Sequence, residues 1–246
     1  MNYKILIAYD GTKYNGWQIQ RSSQNTIQGK ISDVLTKLAG VQTDVIGSGR
    51  TDAGVHALAQ CANFVMPDRF DNEIFIMDYL NKYLPEDISV LSIEKADSKF
   101  HARFSAVSKT YHYRIHTSNI KDVFQRKYVY TYLDKKLNVN LMRQAAEKLI
   151  GTYDFKAFCG NPHFKKSSVR TITSIDIKES EFEISIDFTG DGFLQNMVRI
   201  LTGTLIEVGN GNIKPSQISE IINSKDRQLA GFTAPACGLA LVKVEY

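Results

Sequence analysis

Gly47-Ser48-Gly49-Arg50-Thr51-Asp52-Ala53-Gly54-Val55-His56 is the stretch on which the reading of this chain turns. Its three glycines surround one cation, Arg50, and one carboxylate, Asp52. Glycine permits positive φ and close backbone approach at an entropic cost on folding, so a loop with three of them is shaped for a purpose. No Gly-Lys-Ser/Thr ends it, which excludes a P-loop, and the residues after it read as a strand, which excludes a dinucleotide fingerprint. Val45-Ile46 before it and Val55 to Val65 after it are apolar. The segment therefore reads as strand, loop, strand, presenting Arg50 and Asp52 together. Taken alone, the same residues also suit an ordinary tight turn.

Outward from this loop, residues 3–9 read as a strand ending at the turn pair Asp10-Gly11. Residues 26–39 carry Ile27, Ile31, Val34, Leu35 and Leu38 at helical spacing, with Asn25 as the expected N-cap, Gln28 three residues on and Gly40 as the stop. Strands are expected at 43–47, 57–65 and 88–96, and a helix at 72–83. In 109–116, Tyr111, Tyr113 and Ile115 alternate with His112, Arg114 and His116. The two histidines lie four apart on a strand, roughly 13 Å, too far to share a metal ion. A helix is expected over 138–150, with Leu141, Ala145, Leu149 and Ile150 inward and Gly151 as the stop. Residues 159–168, with Gly160, Asn161, Pro162, Lys165 and Lys166, read as an exposed basic loop. A hairpin at 171–178 and 181–189 precedes a long helix beginning at Phe193, a short helix at 215–223 and a last strand over 240–246.

Each half thus runs strand, helix, hairpin. That order predicts an α+β fold of two ferredoxin-like (RRM-like) β-α-β-β halves, residues 1–106 and 107–246. The halves are expected to share a mostly antiparallel sheet with helices on one face and an RNA-binding cleft.

The 246 residues can bury a sizeable core. Hydrophobic and charged contents of 43% and 23% are those of a soluble globular protein. Thirty Lys and Arg against 26 Asp and Glu give a net charge of +4, a mild excess that permits a polyanionic partner without requiring one. Three widely separated cysteines, Cys61, Cys159 and Cys237, argue against a disulfide framework or a zinc site and fit a reducing compartment. The apolar run at the start is too short for a signal peptide, and no run approaches membrane-helix length, so a cytoplasmic location is expected.

Four segments carry a resemblance. Gly49-Arg-Thr-Asp-Ala-Gly-Val-His-Ala57, Gly16-Trp-Gln-x-Gln20, Phe100-His-Ala-Arg-Phe-Ser-Ala106 and Ala234-Pro-Ala-x-Gly-Leu-x-Leu241 resemble the TruA family of tRNA pseudouridine synthases. The likeness runs from residue 5 to residue 246 and includes Met197-Val-Arg199 and Arg170-Thr171. It implies that Asp52 is the catalytic residue, that Arg50 holds the target base out of the RNA, and that Tyr111 packs on the uracil. Arg199 is implied as the cationic partner of Asp52, and Lys109, His101 and Arg103 as further substrate contacts. The implied activity is isomerisation of uridine to pseudouridine at positions 38, 39 and 40 of the tRNA anticodon stem-loop. The implied protein is a homodimer that uses neither metal nor cofactor.

The chemistry suits the residues. The N1–C1′ bond breaks, the uracil turns, and C5 rejoins C1′. A carboxylate can serve as nucleophile or as base, and an adjacent arginine favours its ionised form. Two other classes compete. A non-catalytic RNA-binding module would fit the fold and the aromatic residues, but it gains nothing from a carboxylate near phosphates. A sugar or nucleotide hydrolase would need paired carboxylates, which are not visible here.

Overall fold

The computed structural model describes every residue except Ser22, Gln24 and Pro162, so the Pro162 part of the expected basic loop lies outside the described residues. The chain divides into two compact units: Met1–Val107 with Ala240–Tyr246, and Ser108–Leu239. Among the described residues, ten strands and five α-helices make it a mixed α+β protein, and the strand pairing is mostly antiparallel.

The first unit runs β1 (Asn2–Tyr9), α1 (Ile27–Ala39), β2 (Val45–Gly47), β3 (His56–Val65), α2 (Glu73–Tyr83), β4 (Ile88–Ala96). β1 lies between β4 and β3, antiparallel to both, and β2 pairs with β3. This is the full β-α-β-β-α-β ferredoxin-like order, one helix and one strand longer than the expected repeat. The last strand, here called β10 (Leu239–Glu245), pairs parallel with β3, Ala240 opposite His56.

α1 forms because its aliphatic stripe is buried: Ile27, Ile31 and Leu35 are inaccessible and Val34 nearly so. Each such burial contributes roughly 1.5–3 kcal/mol. Its N-cap is Thr26, not Asn25; the Thr26 Oγ1 accepts from Gly29 N at 3.2 Å. Asn25 instead donates its side-chain amide to Lys13 O at 2.7 Å, holding the preceding loop. Gly40 ends the helix in the left-handed region, as expected.

The second unit contains β5 (Ser108–His116), β6 (Tyr130–Thr131), α3 (Val139–Glu147), β7 (Gly151–Asp154), β8 (Val169–Glu179), β9 (Glu183–Gly190), α4 (Met197–Gly209) and α5 (Ile218–Ser224). Its sheet order is β5-β9-β8-β7, antiparallel throughout, with β6 parallel to β5. On β5 the alternation holds: Tyr111, Tyr113 and Ile115 are buried. On its other face His112 Nδ1 meets Asp187 at 2.6 Å and Arg114 forks onto Glu183 at 2.9 and 2.7 Å. His116 Nε2 bonds to Ile120 O at 2.7 Å, so the two histidines serve separate partners.

Two helix boundaries depart from expectation. α3 stops at Glu147, and Gly151, taken as its stop, opens β7 at φ 133°. Met142 and Ala146 are buried beside Ala145 and Leu149, whereas Ile150 is exposed. α4 begins only at Met197, because Asn196 sits in the left-handed region at φ 58° and breaks the run from Phe193. The cysteines form no disulfide.

Candidate active site

The loop between β2 and β3 is held from three directions. Ser48 is buried; its N–H donates to Cys61 O at 2.7 Å and its Oγ meets Gln60 Oε1 at 2.6 Å. Gln60 returns a bond to Gly49 O at 3.1 Å. Thr51 is fixed by its hydroxyl, 2.8 Å from that of Tyr9, and by its carbonyl, which accepts from Trp17 N at 3.0 Å. Burial pushes the Tyr9 phenol far above its ordinary pKa, so it remains a neutral hydrogen-bonding group.

Asp52 opens a tight turn that closes with Val55 N donating to Asp52 O at 3.1 Å. Gly54 occupies the third position at φ 78°, a conformation that a type II turn requires there and that glycine adopts without strain. Gly54 N also donates to Tyr14 O at 3.3 Å. Behind the turn, His56 is buried on β3; its Nδ1 lies 3.1 Å from Gly11 N and 3.2 Å from Asp10 Oδ1. The Asp52 side chain is half-buried at the tip of a loop anchored on both sides, and Arg50 beside it is exposed.

The Gly16-Trp-Gln segment supplies much of this anchoring. Gly16 has φ 86°, and a Cβ there would lie 2.5 Å from Thr51 O and 3.1 Å from the Asp52 carbonyl carbon. Trp17 is 1% exposed and lies against Gly47, where a Cβ would come within 2.5 Å of the indole. Gln18 Oε1 accepts from Arg50 Nε at 3.2 Å.

The other expected residues fall into two groups. His101 and Arg103 share the turn after β4, within the same unit as the Asp52 loop. His101 Nδ1 accepts from Arg103 N and Phe104 N at 3.2 and 3.3 Å, which places its proton on Nε2. Its ring lies 4.3 Å from that of Phe104, which is 78% exposed, and the Arg103 guanidinium lies 6.0 Å from the same ring. This turn offers an aromatic face and a cation to solvent.

Lys109, Tyr111 and Arg199 belong to the second unit. Tyr111 meets Phe193 edge-on, centroids 5.3 Å apart. Arg199 on α4 is half-buried; its Nε donates to Ala234 O at 2.7 Å and one terminal nitrogen to Asn196 Oδ1 at 3.0 Å. Tyr113 donates to the neighbouring Pro235 O at 2.8 Å. The Ala234-Pro235 segment thus links α4 to β5. Lys109 sits opposite Gly190 at the start of β5.

Tyr9, Gly16 and Gln28 belong to the support of the loop, a role the sequence did not show: Gly16 stood out only within its Gly-Trp-Gln segment and Gln28 only beside an expected helix cap. Their partners lie 42, 35 and 17 residues away, at Thr51 and Val45, and no local pattern reports such bonds.

The glycine-turned loop that presents Asp52 and Arg50 is thus carried on the ferredoxin-like first unit. The family described as tRNA pseudouridine synthase matches residues 5–105 and 145–246. A tRNA pseudouridine synthase A from Bacillus sp. (strain KSM-64) is 46% identical over 245 residues, covering 100% of this chain and 99% of that protein. Two others, from Clostridium tetani (strain Massachusetts / E88) and Bacillus anthracis, are 47% and 44% identical with the same coverage. The chain belongs to the tRNA pseudouridine synthase family and is an isomerase.

Proposed function

We propose that the chain isomerises uridine to pseudouridine on the 3′ side of the tRNA anticodon stem-loop, at positions 38, 39 and 40, with Asp52 as the catalytic carboxylate. The observation that carries the reading is the presentation of Asp52: half-buried, on a turn closed by Val55 and tied through Thr51 to Trp17. A reacting group held this firmly needs little reorganisation when a base arrives.

In this account the target uridine leaves its stack, at a cost of a few kcal/mol. Arg50 fills the vacated space and Tyr111 covers one face of the uracil. Asp52 then acts on the sugar, as nucleophile at C1′ or as base. The N1–C1′ bond breaks, the uracil turns, and the C5–C1′ bond forms. The proton on C5 departs and N1 gains one, so atoms balance without a cofactor. The resemblance assigns Arg199 the part of keeping Asp52 ionised, since a guanidinium beside a carboxylate favours its charged form. Lys109, His101 and Arg103 bind the RNA, the last two beside the open face of Phe104. Aromatic faces interleaved with cations suit unstacked bases and phosphates.

The protein acts in the cytoplasm; among the described residues no helix is long and apolar enough to cross a membrane. It acts as a homodimer, since a net charge of +4 is small for one chain that must hold a whole tRNA. Light scattering at micromolar concentration should give twice the chain mass of 27.7 kDa; a monomer mass removes this part. The position assignment is tested with unmodified tRNA transcripts. After incubation with the protein, carbodiimide mapping should place pseudouridine at 38, 39 or 40. Pseudouridine elsewhere, with none at these positions, would refute it.

A further inference from the structure

Arg50 is exposed, yet its direction is set by a chain of amides that begins inside the fold. The side-chain amide of Gln28, on the first turn of α1, donates from Nε2 to the Val45 carbonyl at 2.8 Å. Its Oε1 accepts from the Ile19 backbone N–H at 2.9 Å. A backbone carbonyl cannot donate and a backbone N–H cannot accept, so these two bonds fix which end of the Gln28 amide is oxygen.

That choice propagates. Gln28 Oε1 also accepts from Gln18 Nε2 at 2.6 Å. Gln18 must therefore turn its nitrogen toward Gln28 and its oxygen toward solvent, where Oε1 receives Arg50 Nε at 3.2 Å. Were the Gln28 amide reversed, Gln18 would present an NH2 to a guanidinium, and donor would face donor. The backbone bond from Gln28 N to Trp17 O, 3.0 Å, keeps the two segments in register.

We propose that Gln28, acting through Gln18, is a positioning residue that aims the Arg50 guanidinium at the space left by the departing uridine. The inference rests on the role given to Arg50 above. Holding Nε fixes the plane of the guanidinium and leaves its two terminal nitrogens to face the RNA. An arginine without this tether still attracts phosphates but samples many rotamers, so the relay should matter for the extruded state and little for the encounter.

The test is single-turnover tritium release from tRNA labelled at C5 of uridine, with filter binding of the same tRNA alongside. Gln28→Met removes both functions of the amide. It should slow turnover about tenfold, as misaimed groups do, while tRNA affinity stays within about twofold. Gln28→Glu replaces the bond to Val45 with a contact between two acceptors but keeps an oxygen for Ile19 and Gln18, so the relay retains its polarity and turnover should fall clearly less than in Gln28→Met. Equal losses in the two variants would mean that only the Val45 bond matters, and would overturn the proposal. Gln18→Met breaks the same chain without touching α1 and should match Gln28→Met; wild-type turnover would count against the relay. In an Arg50→Ala background, Gln28→Met should cost nothing more, and a further tenfold loss there would overturn it. If Arg50→Ala itself turns over like wild type, the role of Arg50 fails first, and the relay has nothing to aim.

Discussion

The backbone N–H of Trp17 donates to the Thr51 carbonyl oxygen at 3.0 Å, so the residue preceding Asp52 is tied to the loop after β1. The geometry of the candidate carboxylate therefore depends on a segment more than thirty residues earlier, and substitutions there should act on turnover.

Gly16 is the sharpest case. Its φ of 86° disfavours any side chain, and a methyl would press on Thr51 O at 2.5 Å. Gly16→Ala should cost about 2 kcal/mol or more and displace the Asp52 turn. Thermal melting should fall by several degrees and tritium release should drop further than tRNA binding does. Gly211 supplies the control: its φ is 80° but nothing lies within 4 Å of where a methyl would sit, so Gly211→Ala should lower stability without altering turnover per folded molecule. Wild-type turnover in Gly16→Ala would detach this buttress from the mechanism.

Tyr111 is 7% exposed and packs edge-on against Phe193, so its ring is held in one orientation. The proton on C5 must leave once the new bond forms, and the Tyr111 hydroxyl is proposed to relay it, accepting the C5 proton as it passes its own to water. Tyr111→Phe keeps the ring and should bind tRNA normally while losing about 10²- to 10⁴-fold in turnover, the usual value of a proton-transfer group. Full turnover in Tyr111→Phe with loss only in Tyr111→Ala would assign the residue to stacking alone.

Asp154 links the loop at 159–168 to α5. Its carboxylate accepts from Ser168 Oγ at 2.5 Å and from Lys156 N at 3.1 Å, and it pairs with Lys225 at 2.8 Å. The Lys225 ammonium, with the Ser168 hydroxyl, holds its pKa below the ordinary carboxylate value. A lowered pKa in the folded state contributes stability above the unfolded value, about 3.9, and that contribution disappears as pH falls through the folded value. The melting temperatures of wild type and Asp154→Asn should therefore differ at pH 7 and converge below about pH 4. A difference that stays constant from pH 7 to pH 3 would contradict this.

Much of the architecture was legible because it is local. The aliphatic stripe of α1 and the alternation on β5 are short-range patterns; Ile27, Ile31, Val34 and Leu35 are buried as their spacing requires, with Leu38 half-buried, and so are Tyr111, Tyr113 and Ile115. Boundaries were misplaced where a single backbone angle decides, as at Asn196, whose left-handed φ delays α4 by four residues. β7 was missed because Gly151-Thr-Tyr-Asp154 has no apolar alternation; its two central residues are exposed, and its pairing with β8 defines it. At the site, the Arg50-Asp52 loop could be read directly. The polarity of the Gln28-Gln18 chain could not, since it depends on the carbonyl of Val45 and the N–H of Ile19, which carry no sequence signature.

The central claim is that Asp52 performs the chemistry. Asp52→Asn is nearly isosteric, and the turn it opens is closed by its backbone carbonyl, so the loop should survive. An amide is neither a useful nucleophile nor a base, while tRNA affinity comes mainly from Lys and Arg contacts to phosphates. The decisive measurement is tritium release from C5-labelled uridine in tRNA by Asp52→Asn, beside filter binding of that tRNA at fixed salt. The account predicts release at background with affinity equal to or above wild type, because a carboxylate repelling phosphates has been removed. Wild-type release would contradict the claim outright, and joint collapse of binding and release would make Asp52 a structural residue of an RNA-binding surface.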